Sequence, residues 1–414
     1  MKAFLSMIAF AILLGGCQKQ DQPFDGHLAW QEFEQMMVDN YAYLDTEQVD
    51  SEALFKHYKP HAQQAKNKAE FNNILKVVVR FFIDPHLNIG PLNSHDYSVT
   101  PTGSDIWAMR SGHHYIIEDI KVGSSAAKSG LKVGQVITAI DGYSTSQVIQ
   151  RVFADTQFPL SEKHQLWAIN IALGGLRNAV RVIDVQEEGV GQVLSFKLAA
   201  SYEAINALKK EPVITARAIN GVGYIRLNNG LGNEQTAQNF KTELSKLLDT
   251  KGLIIDLRNT PSGGNTGVAE PILGHFVKVN TPYQAYQIQQ AGQPYVLSEM
   301  QFATADPKAP YYSKPFVVLA GRWTGSMGEG MVIGLDALGA KAVIGAPMAD
   351  LLGGINRFEL SHSDSSIDIG FERLFHLNGS YREDFLPDVL VLPADTAQDG
   401  DDPALKKALE LLGT

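Results

Sequence analysis

The chain has 414 residues, 44% of them hydrophobic and 19% charged, with a mean hydropathy of −0.09. That is a water-soluble, globular composition, long enough for two or three domains. Thirty-five Lys and Arg stand against 45 Asp and Glu, a net charge of −10, and no basic stripe is present, so a nucleic-acid partner is not expected, because phosphate neutralisation dominates such binding.

At the N-terminus, Met1-Lys2 is followed by the apolar run AFLSMIAFAILL and then Gly15-Gly16-Cys17. The run is too short to span a bilayer and has the proportions of a secretory signal peptide. Leu14-Gly15-Gly16-Cys17 resembles a bacterial lipobox, which implies cleavage before Cys17 and lipidation of its thiol. The alternative is an ordinary signal peptide that happens to contain a cysteine. Cys17 is the only cysteine of the chain, so no internal disulfide, thiolate zinc site or cysteine nucleophile is available. The expectation is a bacterial cell-envelope protein, lipid-anchored to the membrane and facing the periplasm. Gln18 is not the aspartate associated with inner-membrane retention, which points to the outer membrane.

Three zones follow the signal peptide of residues 1–16. Residues 17–94 form a helical region: AWQEFEQMMVDNYAYL, SEALFKHYKPHAQQA and NKAEFNNILKVVVRFF each place apolar residues three to four apart. Residues 95–200 change to short apolar runs, turns and glycines. In residues 201–414 strands alternate with helices from Gly221 on. VGYIRL precedes EQTAQNFKTELSKLL, GLIIDL precedes TGVAEPILGHFV, and PFVVLA precedes EGMVIGLDALG, with AVIGA beyond. Such alternation predicts an α/β core. The acidic stretch DTAQDGDDP near the end reads as a solvated tail.

In the middle zone, YIIEDIKVGSSAAKSGLKVGQVITAIDGYS (115–144) is similar to a PDZ domain of the bacterial protease type. That resemblance implies a sheet edge offered to an extended peptide. The family's carboxylate-binding loop is replaced here by the polar run TPTGSDIWAMRSGHH, which leaves open whether the domain captures C-termini or gates the core.

In the core, Ser326 lies in GRWTGSMGEGM, between a β-branched strand and a helix. On local grounds it is either a nucleophile at a helix N-terminus or a cap residue. It is not the α/β-hydrolase elbow, since Thr324 occupies the position where that motif needs glycine. Two stretches taken together resemble peptidase family S41, the C-terminal-processing and tail-specific proteases. GLIIDLRNTPSGGNTG matches that family's strand and glycine turn, and TGSMGE matches its nucleophile segment. The resemblance covers roughly residues 70–395. It implies an α/β fold with a ClpP/crotonase-type core of strand-turn-helix units, preceded by a helical cap and a PDZ-like domain. It also implies hydrolysis of peptide bonds in a polypeptide substrate by an acyl-enzyme on Ser326, with Glu329 at the family's acidic position. The oxyanion would be held by the Met327 N–H and a glycine of the turn, Gly264 favoured over Gly263.

The better-known S41 branch uses a lysine base, and no lysine occurs between Lys341 and Lys406. The tricorn-like branch, with a histidine base and a glutamate to orient it, is the better match. His86, in FFIDPHLNIG, sits in a family-like segment and has the right intrinsic pKa for the task. Glu383, in LNGSYREDFLPDVLV, is the expected orienting carboxylate, with Glu372 in reserve. No Walker A run, HExxH or cysteine pair is present, so neither metal nor cofactor is expected. Two other readings stay open: a non-catalytic S41-like lipoprotein that binds peptides or other ligands, and a small-ester hydrolase. The oligomeric state has no signature in the sequence.

Overall fold

The structure, a computed structural model, describes residues 23–45, 49–154, 156–187, 191–261, 263–288, 296–397 and 400–413. The expected signal peptide and Cys17 lie outside the described residues. No helix among the described residues is long and apolar enough to cross a membrane.

The N-terminal region is three helices, Gly26–Asn40, Ser51–Gln63 and Lys68–Arg80. Each starts on a side-chain cap. Asp25 accepts the His27 and Leu28 N–H groups, Asp50 accepts that of Ala53, and Asn67 accepts that of Glu70. Their apolar faces bury Trp30, Phe33, Phe55 and Phe82 in edge-on and tilted ring contacts, each ring contributing roughly 1.5–3 kcal/mol by leaving water. The last helix runs out at Phe81-Phe82. Ile83 then adopts a left-handed φ of 50°, and the chain turns through Asp84-Pro85-His86 into a short strand, Asn88–Gly90.

Residues 106–198 form an antiparallel sheet in the order Ile106–Ser111, His114–Ile120, Val136–Ile140, Arg181–Gln186, Val193–Leu198. The buried helix Glu162–Gly174 lies beside the edge strand Ile106–Ser111. From that helix Asn170, fully buried, accepts the Ala108 N–H at 2.7 Å and donates to the Ala108 carbonyl at 3.0 Å. One side-chain amide therefore satisfies both edge groups that an incoming peptide strand would use at Ala108. The helical region and this sheet share one continuous apolar core, which also takes in Leu360, Ile367 and Ile369 of the later hairpin Ile355–Leu360/Ser365–Gly370.

The α/β core is a six-stranded sheet in the order Val389–Leu390, Val343–Gly345, Phe316–Ala320, Leu253–Asp256, Val222–Leu227, Ile214–Ile219. All neighbours are parallel except the last pair. Spatial order follows chain order, so the sheet winds in one direction without a switch point. The strands Leu253–Asp256 and Phe316–Ala320 are buried at every position, as expected of parallel strands covered on both faces. The mixed α/β architecture read from the sequence is the one observed, and the helices Gln235–Ser245, Thr266–Leu273 and Met327–Ala337 follow their strands in the expected order.

Candidate active site

Two loops leave the carboxyl ends of adjacent parallel strands, where Asp256 pairs with Leu319. One loop carries Gly263 and Gly264, the other Ser326. Side chains and backbone staple them together: Thr324 Oγ1 donates to the Leu257 carbonyl at 3.0 Å, and the Gly325 N–H donates to the Thr260 carbonyl at 3.0 Å. The strand end itself is anchored by buried Arg258, which bonds Asp256, Asp402 and the Ala394 carbonyl. The Asp-Leu-Arg of the turn motif therefore has a structural task.

Ser326 precedes the helix Met327–Ala337 with φ 53° and ψ −117°, a region that L side chains rarely adopt and that clusters at functional sites. It forms a capping box with Glu329, whose carboxylate takes the Ser326 N–H, but its Oγ makes no cap bond of full hydrogen-bond quality. The Glu329 N–H is bonded to the Ser326 carbonyl instead. Three backbone N–H groups at this point, those of Met327, Gly263 and Gly264, have no described acceptor. Of the two glycines, Gly263 is the one against the serine. A Cβ placed there would stand 2.6 Å from Ser326 Oγ, whereas at Gly264 it would meet the Leu231 carbonyl oxygen at 2.1 Å. Proximity to the hydroxyl thus favours Gly263 over the expected Gly264, which is packed against the Leu231 backbone on the other side of the turn.

Glu329 is fully buried below the serine. Its carboxylate accepts the N–H groups of Ser326 at 2.6 Å, Asp350 at 2.9 Å and Leu351 at 3.3 Å. Burial pushes its pKa up to about 8, opposed by the nearby Arg382 charge and by the backbone donors. This residue holds the Ser326 loop to the loop 350–352, its carboxylate turned to backbone donors.

From Leu352 the connection passes to His86. The Leu352 carbonyl lies 3.0 Å from His86 Nδ1. A carbonyl can only accept, so Nδ1 carries the proton and Nε2 is left as the basic nitrogen. Asp84 Oδ1 accepts both the His86 N–H, at 2.8 Å, and the Leu352 N–H, at 3.4 Å, while its Oδ2 takes the Tyr41 hydroxyl at 3.0 Å. Burial lowers the His86 pKa to about 4, against the raising effect of the Leu352 carbonyl bond. Burial likewise pushes Asp84 up to about 7. His86, Pro261, Gly263 and Leu351 line one cleft of about 260 Å³, so His86 and the glycine turn beside Ser326 face the same space.

Glu383 does not occupy the place expected of it. His86 Nδ1 is already engaged by a backbone carbonyl, and the Glu383 carboxylate is buried with Oε2 unpartnered, near enough to Tyr43 and Tyr41 to raise their pKa values. Burial pushes Glu383 itself up to about 7. Glu372, the reserve, is half-buried, and a Cβ on Gly354 would stand 2.4 Å from its Oε1. The residue that sequence reasoning missed is the neighbour, Arg382. It is 2% exposed and donates to the carbonyls of Ser326 at 3.4 Å, Gly353 at 3.3 Å and Leu351, with Glu329 3.9 Å away. Leu351 is thereby gripped at its N–H by Glu329 and at its carbonyl by Arg382. An arginine between Tyr381 and the acidic pair Glu383-Asp384 carries no local signal of that task. Among the described residues no group of three or more His, Cys, Asp and Glu side chains could hold a metal ion.

Comparison with known proteins bears on this arrangement. The family model described as peptidase family S41 matches residues 221–391, and that of the tricorn protease C1 domain matches residues 30–79. No curated protein matches the sequence significantly. Among solved structures, the photosystem II D1 C-terminal processing protease aligns at 17% identity and TM-score 0.56, over 94% of this chain and 97% of its own. Mature CPAF aligns at 12% identity and TM-score 0.61, over 94% and 95%. A putative peptidase from Parabacteroides merdae aligns at 15% identity and TM-score 0.59, over 94% and 97%. At these identities the likeness is one of fold, and it extends over nearly the whole chain.

Proposed function

The chain belongs to peptidase family S41, and from that premise we propose that it hydrolyses peptide bonds through an acyl-enzyme on Ser326, with His86 as the base. The observation that carries this reading is the relay of bonds from Ser326 through Glu329 and residues 350–352 to His86. A cap serine and a turn histidine have no need to be tied together across 240 residues of sequence.

In the proposed reaction, His86 Nε2 takes the Ser326 Oγ proton as Oγ attacks the scissile carbonyl. It then delivers that proton to the leaving amine, and water repeats the sequence on the ester. The Met327 N–H and the amide at Gly263 bind the oxyanion, the largest single catalytic term in such sites. The backbone carbonyl of Leu352 takes the orienting part, and Asp84 fixes the chain on both sides of that bond. Glu329 and Arg382 act through the loops they hold and are positioning residues. The polypeptide enters the 260 Å³ cleft. On the sequence signals, the protein works in the cell envelope, tethered through Cys17.

One observation favours a second reading, that of a binding scaffold. Ser326 Oγ makes no hydrogen bond to His86. The two readings separate on the chain from residue 18 onward, with Ser326→Ala and His86→Ala variants. The expected result is labelling by a fluorophosphonate probe and cleavage of an unfolded protein, both lost in each variant. A parent that neither labels nor cleaves but binds peptides would support the scaffold. A His86→Ala variant as active as the parent would remove His86 from the reaction.

A further inference from the structure

Beyond the reacting groups, the cleft has an electrostatic imbalance at one end. Asp368 and Arg177 both line it, with Tyr202. Asp368 is neutralised within its own hairpin, where Arg357 holds both carboxylate oxygens at 2.7 and 2.9 Å. Arg177 has no such partner. Among the described residues no carboxylate lies within ion-pair distance of its guanidinium, and it is half-buried.

The guanidinium is also held in place. Its Cζ lies over the Tyr202 ring, 4.3 Å from the centroid, within the range of a cation–π contact. The backbone beneath is fixed by a short antiparallel pairing: the Arg177 N–H donates to the Asp96 carbonyl at 3.0 Å, and the Ser98 N–H to the Gly175 carbonyl at 2.8 Å. The nearest acidic side chain in sequence contact, Asp96, is committed to Lys76 and to the Asn93 N–H. The same strap continues to Thr102, which reaches the nucleophile loop at Gly325, and to Ser104, whose carbonyl accepts the Trp323 indole N–H at 2.8 Å. A preorganised, uncompensated guanidinium therefore opens into the space that holds His86 and Gly263. It does so in a chain of net charge −10, whose overall field disfavours anions.

We infer that Arg177, over the Tyr202 ring, is an anion subsite of the cleft that selects substrates by a carboxylate near the scissile bond. The carboxylate comes either from an Asp or Glu side chain or from a chain terminus, and the guanidinium fork suits both. The inference rests on the serine-peptidase reading for its kinetic readout only.

The test has two arms. Binding is measured by fluorescence anisotropy on the Ser326→Ala full chain, with peptides in matched sets: Asp or Glu against Asn or Gln, and free against amidated C-termini. Cleavage sites in an unfolded protein are mapped by mass spectrometry for the parent. Arg177→Gln, Arg177→Lys and Arg177→Glu are compared in both arms. A charge-assisted contact predicts acidic peptides favoured by roughly 10- to 100-fold over their amides. That ratio should collapse in Arg177→Gln, survive in part in Arg177→Lys, and give way to a preference for lysine peptides in Arg177→Glu. Dependence on the side chain or on C-terminal amidation assigns the source. An unchanged ratio in Arg177→Gln overturns the subsite. Loss of all cleavage with the binding ratio intact would instead strike the serine-peptidase reading and leave the subsite standing.

Discussion

Ser326 is held at φ 53° and ψ −117°, which costs a residue with a Cβ about 1–3 kcal/mol. Two substitutions separate that strain from the hydroxyl. Ser326→Ala keeps the Cβ and the strain. It loses no capping bond of full hydrogen-bond quality, so its stability should stay within about 0.5 kcal/mol of the parent. Ser326→Gly removes the Cβ and the strain together, against an unfolded-state entropy penalty of about 0.5–1 kcal/mol. The balance is a glycine variant more stable than the parent by about 0.5–2 kcal/mol, and inactive. The backbone bonds that enforce the conformation remain in both variants: the Ser326 N–H to Glu329, and its carbonyl to the Glu329 and Gly330 N–H groups. Urea unfolding of parent, alanine and glycine variants at one pH, with matched slopes, measures the difference. At an ordinary helix start, replacing a capping serine by glycine costs a few tenths of a kcal/mol. A glycine variant equal to or less stable than the parent would therefore refute the claim that strain is stored at this serine.

The remaining expectations concern the residues around it. Gly263→Ala should cut kcat by roughly 10²–10³-fold, the scale of losing one oxyanion donor, because its Cβ would meet Ser326 Oγ at 2.6 Å. Gly264→Ala should show first as lost stability in a melt, since the obstacle there is the Leu231 backbone. With the His86 pKa lowered to about 4 by burial, the basic form persists well below neutrality. The acid limb of kcat/KM should then fall between about pH 4 and 5, and a limb near 6.5 would mean the base is solvated or is another group. The same shift has a stability sign: between about pH 6.5 and 4 the unfolded chain takes up a proton that folded His86 refuses, so this contribution is lost as pH falls. Asp84 works oppositely. Its pKa is raised to about 7, so folded protein keeps a proton that the unfolded chain releases, and stability falls as pH rises from about 4 to 7. The difference in unfolding free energy between Asp84→Asn and the parent should move in the variant's favour across that window. Arg382→Met should cost about 1–3 kcal/mol, the scale of leaving buried acceptors unsatisfied, because it strips the donor from the Ser326, Leu351 and Gly353 carbonyls. It should also lower kcat more than it raises KM, since Arg382 holds the loop that carries Leu352.

What the sequence could express depended on how far each relationship reaches along the chain. Ser326, Glu329 and the Gly-Gly turn are readable because their geometry is set within a few residues: a strand, a turn, a helix start. His86 is readable for a related reason, since Asp-Pro-His abruptly ends an apolar helix and a turn must present something. The fold was readable at the level of alternating strands and helices, but not the hairpin Ile355–Leu360/Ser365–Gly370, which brings Asp368 to the cleft by pairing with Asn88, some 280 residues earlier in the chain. Side-chain motifs also cannot announce backbone atoms. The group on His86 Nδ1 is the Leu352 carbonyl, which any residue type would supply, so a carboxylate motif points to Glu383 and is silent about Arg382 beside it. Asn170 makes the same point for the antiparallel sheet. A peptide-binding edge was the natural expectation from the PDZ-like stretch, yet a buried amide from Glu162–Gly174 already occupies Ala108 there, and a lone asparagine in an apolar helix gives no sign of which strand it serves. Charge in the cleft followed the same logic. Arg177 and Tyr202 lie 25 residues apart and outside every motif, and the strap pairing at Asp96–Ser98 holds Arg177 at the cleft that His86 and Gly263 also line. The chemistry proposed for Ser326 and His86 is local and survives in motifs, whereas the aiming and selectivity proposed for it are carried by backbone and by distant partners, and that is where substitutions will be most informative.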